Sequence, residues 1–473
     1  MVALLGATRE IGYQSRVSSE DPKRKLFGTD GIRGRANVHP MTPEVAMRLG
    51  MAVAAHFGRE GKIVVGKDTR RSGYMLEMAL ASGLCSLGVD VMLTGPLPTP
   101  AIAYLAKSMR ADAGVMISAS HNPFEDNGFK LFANDGFKLP DSVETHIETL
   151  MEPGAVDDRL VYGETIGKAF RLEDAGGRYI THVKHVLPSE YELDGLRVVV
   201  DCANGAAWKI APKVFEELGA DVIRTGVEPD GTNINAGVGA MHPEHLSHVV
   251  REYRADFGLA LDGDADRAVV CDHRGQLVDG DVLLAIVGRD LARRGALRGN
   301  AVVATVMSNI GLERSLAQVG IGLHRTPVGD RYVVEAMREH GCNLGGEQSG
   351  HVVCLDHSTT GDGLVSALLL LAVMVREQKP LADLAKVMTS YPQVSRSFAV
   401  VKKIPLEQLP KSQAAIAAVE QQLGDEGRVL VRYSGTESKL RVMVEGTDLR
   451  VLEAAVQEIA EVALAEIAAA SGV

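Results

Sequence analysis

The sequence predicts an α/β protein of three similar units followed by a smaller α+β unit. A pattern of strand, helix, glycine turn, strand, helix, strand and polar loop occurs three times. At 473 residues the chain also exceeds what one core usually supports. In the first copy the strands are expected at Ile63–Gly66, Val89–Thr94 and Gly114–Ile117, with helices ending near Leu87 and starting at Ala101. The second copy has strands at Leu196–Asp201, Ala220–Thr225 and Gly258–Leu261. The third has Ala301–Thr305, Ile321–Thr326 and Cys342–Gly346. Details recur as well: Arg110-Ala111-Asp112-Ala113-Gly114 parallels Arg254-Ala255-Asp256-Phe257-Gly258. Leu364–Val375 reads as a buried helix, too short to span a bilayer.

The boundaries follow from these copies. Residues 1–24 are read as a loose extension, 25–187 as the first unit, 188–290 as the second and 291–395 as the third, with 396–473 completing the chain. Pro392–Ser397 is expected to be a linker. Beyond it lie a strand at Phe398–Lys402, a helix at Leu406–Leu423, strands at Arg428–Tyr433 and Leu440–Glu445, and a helix from Leu449 to about Ala470.

Composition narrows the function classes. With 46% hydrophobic and 23% charged residues the chain is typical of a soluble globular protein. A net charge of −11 and only 4% aromatic residues argue against nucleic acid as a partner. Cys85, Cys202, Cys271, Cys342 and Cys354 have no metal-type spacing and read as reduced thiols of a cytoplasmic protein. Neither a signal peptide nor a membrane segment is expected.

Each copy ends in a loop with chemical content. The first is Ser118-Ala119-Ser120-His121-Asn122-Pro123, where an apolar strand gives way to a displayed serine. Asn122-Pro123 suggests that a helix starts there, which would aim backbone N–H groups at a phosphate on Ser120. Read alone, the loop fits a simple helix cap equally well. The second loop, Asp262-Gly263-Asp264-Ala265-Asp266-Arg267, places carboxylates at every second position. Like charges so close call for a cation, and oxygen-only ligands favour Mg²⁺ over Zn²⁺. A calcium-binding helix–loop–helix fails because position twelve from Asp262 is His273, not glutamate. The third loop is Gly346-Glu347-Gln348-Ser349-Gly350-His351. If the copies pack around a shared cleft, these loops face one another at the carboxyl ends of strands. In the tail, Arg432-Tyr433-Ser434-Gly435-Thr436-Glu437-Ser438-Lys439 fits a phosphate grip, although a hairpin turn has the same composition.

Together these motifs resemble the α-D-phosphohexomutase family over nearly everything after Lys25. Phe27-Gly28-Thr29-Asp30-Gly31-Ile32-Arg33-Gly34 is similar to its opening motif, and the serine loop with Asn127-Gly128-Phe129-Lys130 to its phosphoserine segment. The aspartate loop resembles its magnesium site and Arg432–Thr436 its phosphate-binding loop. Ala265 and Ser438 depart from the usual glycine and proline without removing a ligand or a charge. Gln348, where phosphomanno- and phosphoglucomutases of similar length commonly carry methionine, points to the glucosamine branch.

The resemblance implies mixed sheets around a central cleft and a phosphoserine at Ser120. It implies one Mg²⁺ per site held by Asp262, Asp264, Asp266 and Ser120, a sugar monophosphate as substrate and a hexose 1,6-bisphosphate as activator. It leaves a homodimer open. Lys130 and Arg33 are candidates for the groups beside the reacting hydroxyl, lysine as acid or base only if its pKa is lowered. His121 would orient the serine loop or contact phosphate. Arg267, Glu347, Ser349 and His351 would bind substrate, and Arg432, Ser434, Gly435 and Thr436 would clamp the phosphate that is not reacting. Asp330 and Arg331 either line the cleft or serve structure. The rival readings are a glucose or mannose phosphate mutase, a metal-dependent phosphatase or nuclease, and a silent sugar-phosphate sensor.

Overall fold

The computed structural model describes residues 26–28, 30–58, 61–434 and 438–471. The expected extension at 1–24, together with Gly435 and Thr436, lies outside them. Four sheets organise the described residues, of six, five, four and three strands. The first three share one core topology. The opening strand of each copy (Lys62–Lys67, Arg197–Asp201, Ala301–Thr305) lies between its second and third strands, all parallel. Each third strand then pairs with an antiparallel fourth: Asp126–Ala133, Ala268–Asp272 and Val352–Cys354.

This fourth strand changes the reading of the serine loop. No helix starts at Asn122-Pro123: Ala113–Ile117 and Asp126–Ala133 form a hairpin, with Ile117 opposite Phe129, and the serine loop is its connection. The aspartate and Glu347–His351 loops occupy the same place in their sheets, closed by the pairs Leu261–Ala268 and Gly346–Val352. Strand pairing, not a helix terminus, therefore fixes all three loops at the carboxyl ends of parallel strands.

The loops also meet. A Cβ on Gly263 would lie 2.5 Å from the Ser120 carbonyl oxygen. Gly350 has φ +88°, and a Cβ there would lie 2.1 Å from the Ala268 carbonyl oxygen. Only glycine lets the backbones approach so closely.

A continuous apolar core runs beneath the three units, joining Val64 and Met116 of the first sheet to Val200 and Leu259 of the second and Val302 and Leu344 of the third. Helix Gly363–Glu377 crosses it, buried from Gly363 through Met374. Its Asp362 cap accepts hydrogen bonds from Leu364 and Val365 N–H at 3.0 and 3.1 Å, and from the buried Tyr179 hydroxyl at 2.7 Å. Tyr179 belongs to helix Ala175–Lys184, so this bond ties the segment after the first sheet to the third unit.

The tail is a three-stranded antiparallel sheet covered by helices Pro410–Leu423 and Leu449–Ser471 around its own core. The expected linker is largely strand: Gln393–Ala399 pairs along Lys439–Glu445, from Gln393 opposite Glu445 to Ala399 opposite Lys439. Its alternating small and polar residues lie at a sheet edge, where exposure hides the apolar period. No helix among the described residues is long and apolar enough to cross a membrane.

Replacing Tyr179 with phenylalanine should destabilise the protein by about 1–3 kcal/mol, because it strands a buried carboxylate oxygen. A lower urea midpoint checks this; an unchanged midpoint would show that the bond is dispensable.

Candidate active site

Ser120 lies at the centre of the hairpin loop, 1% exposed, with φ +53°, a conformation uncommon outside glycine. Its hydroxyl donates to Asp262 Oδ2 and lies 3.4 Å from His121 Nδ1. Burial, with Arg267 and Arg33 nearby, pushes the His121 pKa down, so its ring favours the neutral form.

Asp262, Asp264 and Asp266 each present an oxygen within 4.8 Å of the others, all buried. Burial, then Asp266 and Asp264, raises the Asp262 pKa well above the ordinary carboxylate range. Asp264 Oδ1 and Asp266 Oδ1 are buried without a hydrogen-bond partner among the described residues. An all-oxygen set with orphaned, electrostatically crowded acceptors fits a hard divalent cation.

Cations from the first unit already reach this loop. Lys130, 2% exposed on the antiparallel strand, donates to Asp264 Oδ2 at 2.8 Å and Asp266 Oδ2 at 2.9 Å. Burial would lower its pKa, but Asp264, Asp266 and Asp30 outweigh that and hold it well above its usual range. That support comes from the same carboxylates that would hold a cation, and a cation there would weaken it. Arg33 donates to the Ala119 carbonyl at 3.3 Å and pairs with Asp30, while its Nε and that of Arg267 are buried without acceptors among the described residues. Unsatisfied guanidinium N–H groups beside the serine suit an oxyanion.

The charges close into a ring across the three units. Asp266 pairs with Lys130; Lys130 lies 3.7 Å from Asp30; Lys138 reaches Asp30 at 2.5 Å and Asp330 at 2.6 Å. His351 Nε2 faces Asp330 at 3.4 Å, and Nδ1 faces Asp266 at 3.6 Å. Burial would lower the His351 pKa, yet Asp266 and Asp330 raise it overall. Gly361 N also lies 3.1 Å from Nε2. Arg331 is structural: it pairs with Asp141 and Glu144 on a helix of the first unit.

Glu347 accepts from Gly329 N–H at 3.1 Å and lies 3.4 Å from the exposed Ser349 hydroxyl. Gln348 turns towards Asp279 at 3.4 Å. Arg432 stands directly opposite Arg441 in the C-terminal sheet, and Lys403 donates to the Ser434 carbonyl at 2.6 Å, making a cationic patch. Among the described residues no hydrogen bond or ion pair joins Arg432 to the serine or aspartate loops.

Sequence reasoning missed several neighbours. Asp68, Arg70 and Asn235 hold the serine loop, Thr99 donates to Asp264, and Asp30 and Lys138 belong to the ionic ring. Lys67-Asp68-Thr69-Arg70 did carry a signal, as charged residues at the carboxyl end of a buried parallel strand; Lys138 and Asn235 carried none.

Comparison with known proteins is consistent with this arrangement. Four models described as phosphoglucomutase/phosphomannomutase alpha/beta/alpha domains I, II and III and C-terminal domain match residues 24–155, 177–275, 279–391 and 370–462. A phosphoglucosamine mutase from Syntrophotalea carbinolica is 55% identical over 93% of this chain and 97% of its own. Another from Anaeromyxobacter sp. is 57% identical over 93% and 95%. The crystal structure of a phosphoglucomutase/phosphomannomutase family protein from Burkholderia thailandensis superposes with TM-score 0.75 at 26% identity, covering 93% of this chain and 97% of that one. Matched in order along nearly its whole length, the chain belongs to the phosphoglucomutase/phosphomannomutase family of α-D-phosphohexomutases.

Proposed function

We infer that the protein is an isomerase that interconverts glucosamine 6-phosphate and glucosamine 1-phosphate. The carrying observation is Ser120, buried and bonded to the first of three clustered carboxylates that could hold a cation, in a chain 55% identical to a phosphoglucosamine mutase. With Ser120 phosphorylated, the C1 hydroxyl of glucosamine 6-phosphate attacks the phosphorus. An O1–P bond forms, the Oγ–P bond breaks, and the hydroxyl proton ends on Oγ. The 1,6-bisphosphate then turns over, and its 6-phosphate passes to Ser120 in the reverse sense. A hexose 1,6-bisphosphate supplies the first phosphoryl group.

Phosphate monoesters need positioning and charge stabilisation more than covalent help. Asp262, Asp264 and Asp266, with Ser120, would hold Mg²⁺, which when bound offsets charge on the transferring oxygens. Arg33 and Arg267 add fixed positive charge beside Ser120, Lys130 stands beside the reacting hydroxyl, and His121 orients the serine hydroxyl. His351 buttresses Asp266. Glu347 and Ser349 would take sugar hydroxyls in both orientations. Arg432, Ser434, Gly435 and Thr436 would hold the second phosphate, a role favoured by the placement of Arg432 at the end of its strand beside that loop. The free thiols fit a cytoplasmic setting.

Glucosamine 6-phosphate should be converted with a higher kcat/KM than glucose or mannose 6-phosphate, and Ser120→Ala should lose conversion of all three. Side-by-side steady-state rates test both parts. Preference for mannose phosphate would move the protein to the sister activity, and near-parental turnover by Ser120→Ala would exclude the phosphoserine.

Asp264→Asn should weaken Mg²⁺ binding by titration calorimetry at least tenfold, since a neutral amide replaces a charged ligand. Unchanged affinity would remove Asp264 from the metal site.

A further inference from the structure

The hydroxyl of Ser120 is aimed by its backbone, and both of its own backbone polar groups are held by buried side chains that the phosphoryl-transfer chemistry does not itself use. Ser120 N–H donates to Ser118 Oγ at 2.9 Å, and Ser118 Oγ–H donates to Asp68 Oδ2 at 2.6 Å. The Ser120 carbonyl accepts from Arg70 Nη2 at 2.9 Å and from Asn235 Nδ2 at 3.0 Å. The same two donors continue along the loop: Arg70 reaches the Asn122 carbonyl at 2.8 Å and also that of Pro123, and Asn235 reaches Asn122 at 3.1 Å. Asp68 locks the guanidinium from behind, accepting from Arg70 Nε at 2.8 Å and from Arg70 N–H at 2.9 Å. Asp68, Arg70 and Ser118 are completely buried.

We propose that Asp68, Arg70, Ser118 and Asn235 are positioning residues for phosphoryl transfer, which hold Ser120 in its left-handed conformation so that Oγ stays directed at Asp262. A serine at φ +53° relaxes towards negative φ when nothing opposes it. That rotation carries Cβ and Oγ away from the cation site. Two sets of hydrogen bonds prevent it, one on the N–H side and one on the carbonyl side, with Asp68 common to both. The carbonyl anchor spans two units, because Arg70 follows a strand of the first sheet and Asn235 belongs to the second unit. Ser120 is therefore aligned with Asp262 only when the two units are docked. The inference rests on the phosphoserine reading and extends it to residues that touch neither sugar nor metal.

The test is the rate at which Ser120 acquires phosphate from glucose 1,6-bisphosphate, followed by peptide mass spectrometry, together with steady-state kcat and KM. In this step the sugar O–P bond breaks, the Oγ–P bond forms, and the serine proton passes to the released sugar oxygen. Ser118→Ala should slow both phosphorylation and kcat by about 10–100-fold, the scale expected for a misplaced reacting group, while KM for sugar phosphate stays within about twofold. Ser118→Thr, which keeps the hydroxyl, should recover most of the rate. Asn235→Ala, an independent change on the carbonyl side, should behave like Ser118→Ala and covers the case in which that variant does not fold. Phosphorylation of a folded variant at the parental rate, or a loss confined to KM, would overturn the positioning role. A parent protein that never gains phosphate on Ser120 would instead overturn the phosphoserine reading, and this inference with it.

Discussion

Three carboxylates confined to one buried loop are the constraint around which the rest of the molecule is arranged. At separations up to 4.8 Å each like pair costs about 3–4 kcal/mol at an effective dielectric constant of about 20. No single unit relieves this repulsion. Lys130 arrives from the first sheet, and His351 approaches Asp266 from the third unit. The ionic ring through Asp30, Lys138 and Asp330 is the outer layer of the same arrangement, because each cation brought to the aspartates is itself buried and needs a counter-charge. Electrostatics thus does for the polar side of the interface what the shared apolar core does beneath it.

This arrangement suits chemistry in which negative charge is moved and not created. A phosphoryl group carried between a serine and a sugar needs a cationic surround that keeps its shape while the substrate turns over. Arg33 meets that need as a fixed charge. Lys130 is held against Asp264 and Asp266 by charge that outweighs its burial. The C-terminal sheet contributes a second cationic patch, at Arg432 and Arg441, on a unit with its own core.

Much of this was legible in the sequence because the repeat is written in apolar runs. The opening strands emerge within a residue or so of their expected limits, and each closing strand leads into the loop that carries chemistry. The antiparallel fourth strand was not read in any unit; in the first, Asn127-Gly128-Phe129-Lys130 carries a buried lysine and a glycine where a strand would ordinarily show an apolar period. That omission made Asn122-Pro123 look like a helix start. Ser120 and the aspartates stood out because a hydroxyl after a greasy strand and three alternating acids have few other uses. Lys138, Asn235 and Thr99 act through contacts with residues more than a hundred positions away, which no local pattern encodes. Arg331 shows the converse: it neighbours cleft residues in the sequence, yet its partners are Asp141 and Glu144 on another unit.

The central claim is that catalytic competence resides in a phosphate on Ser120. Protein stripped of phosphate by a phosphatase, then titrated with glucose 1,6-bisphosphate, allows the phosphorylated fraction of the Ser120 peptide and the initial mutase rate to be measured on the same samples. The account predicts that the rate rises in proportion to that fraction and is near zero when it is zero. Full activity with Ser120 unmodified would contradict it.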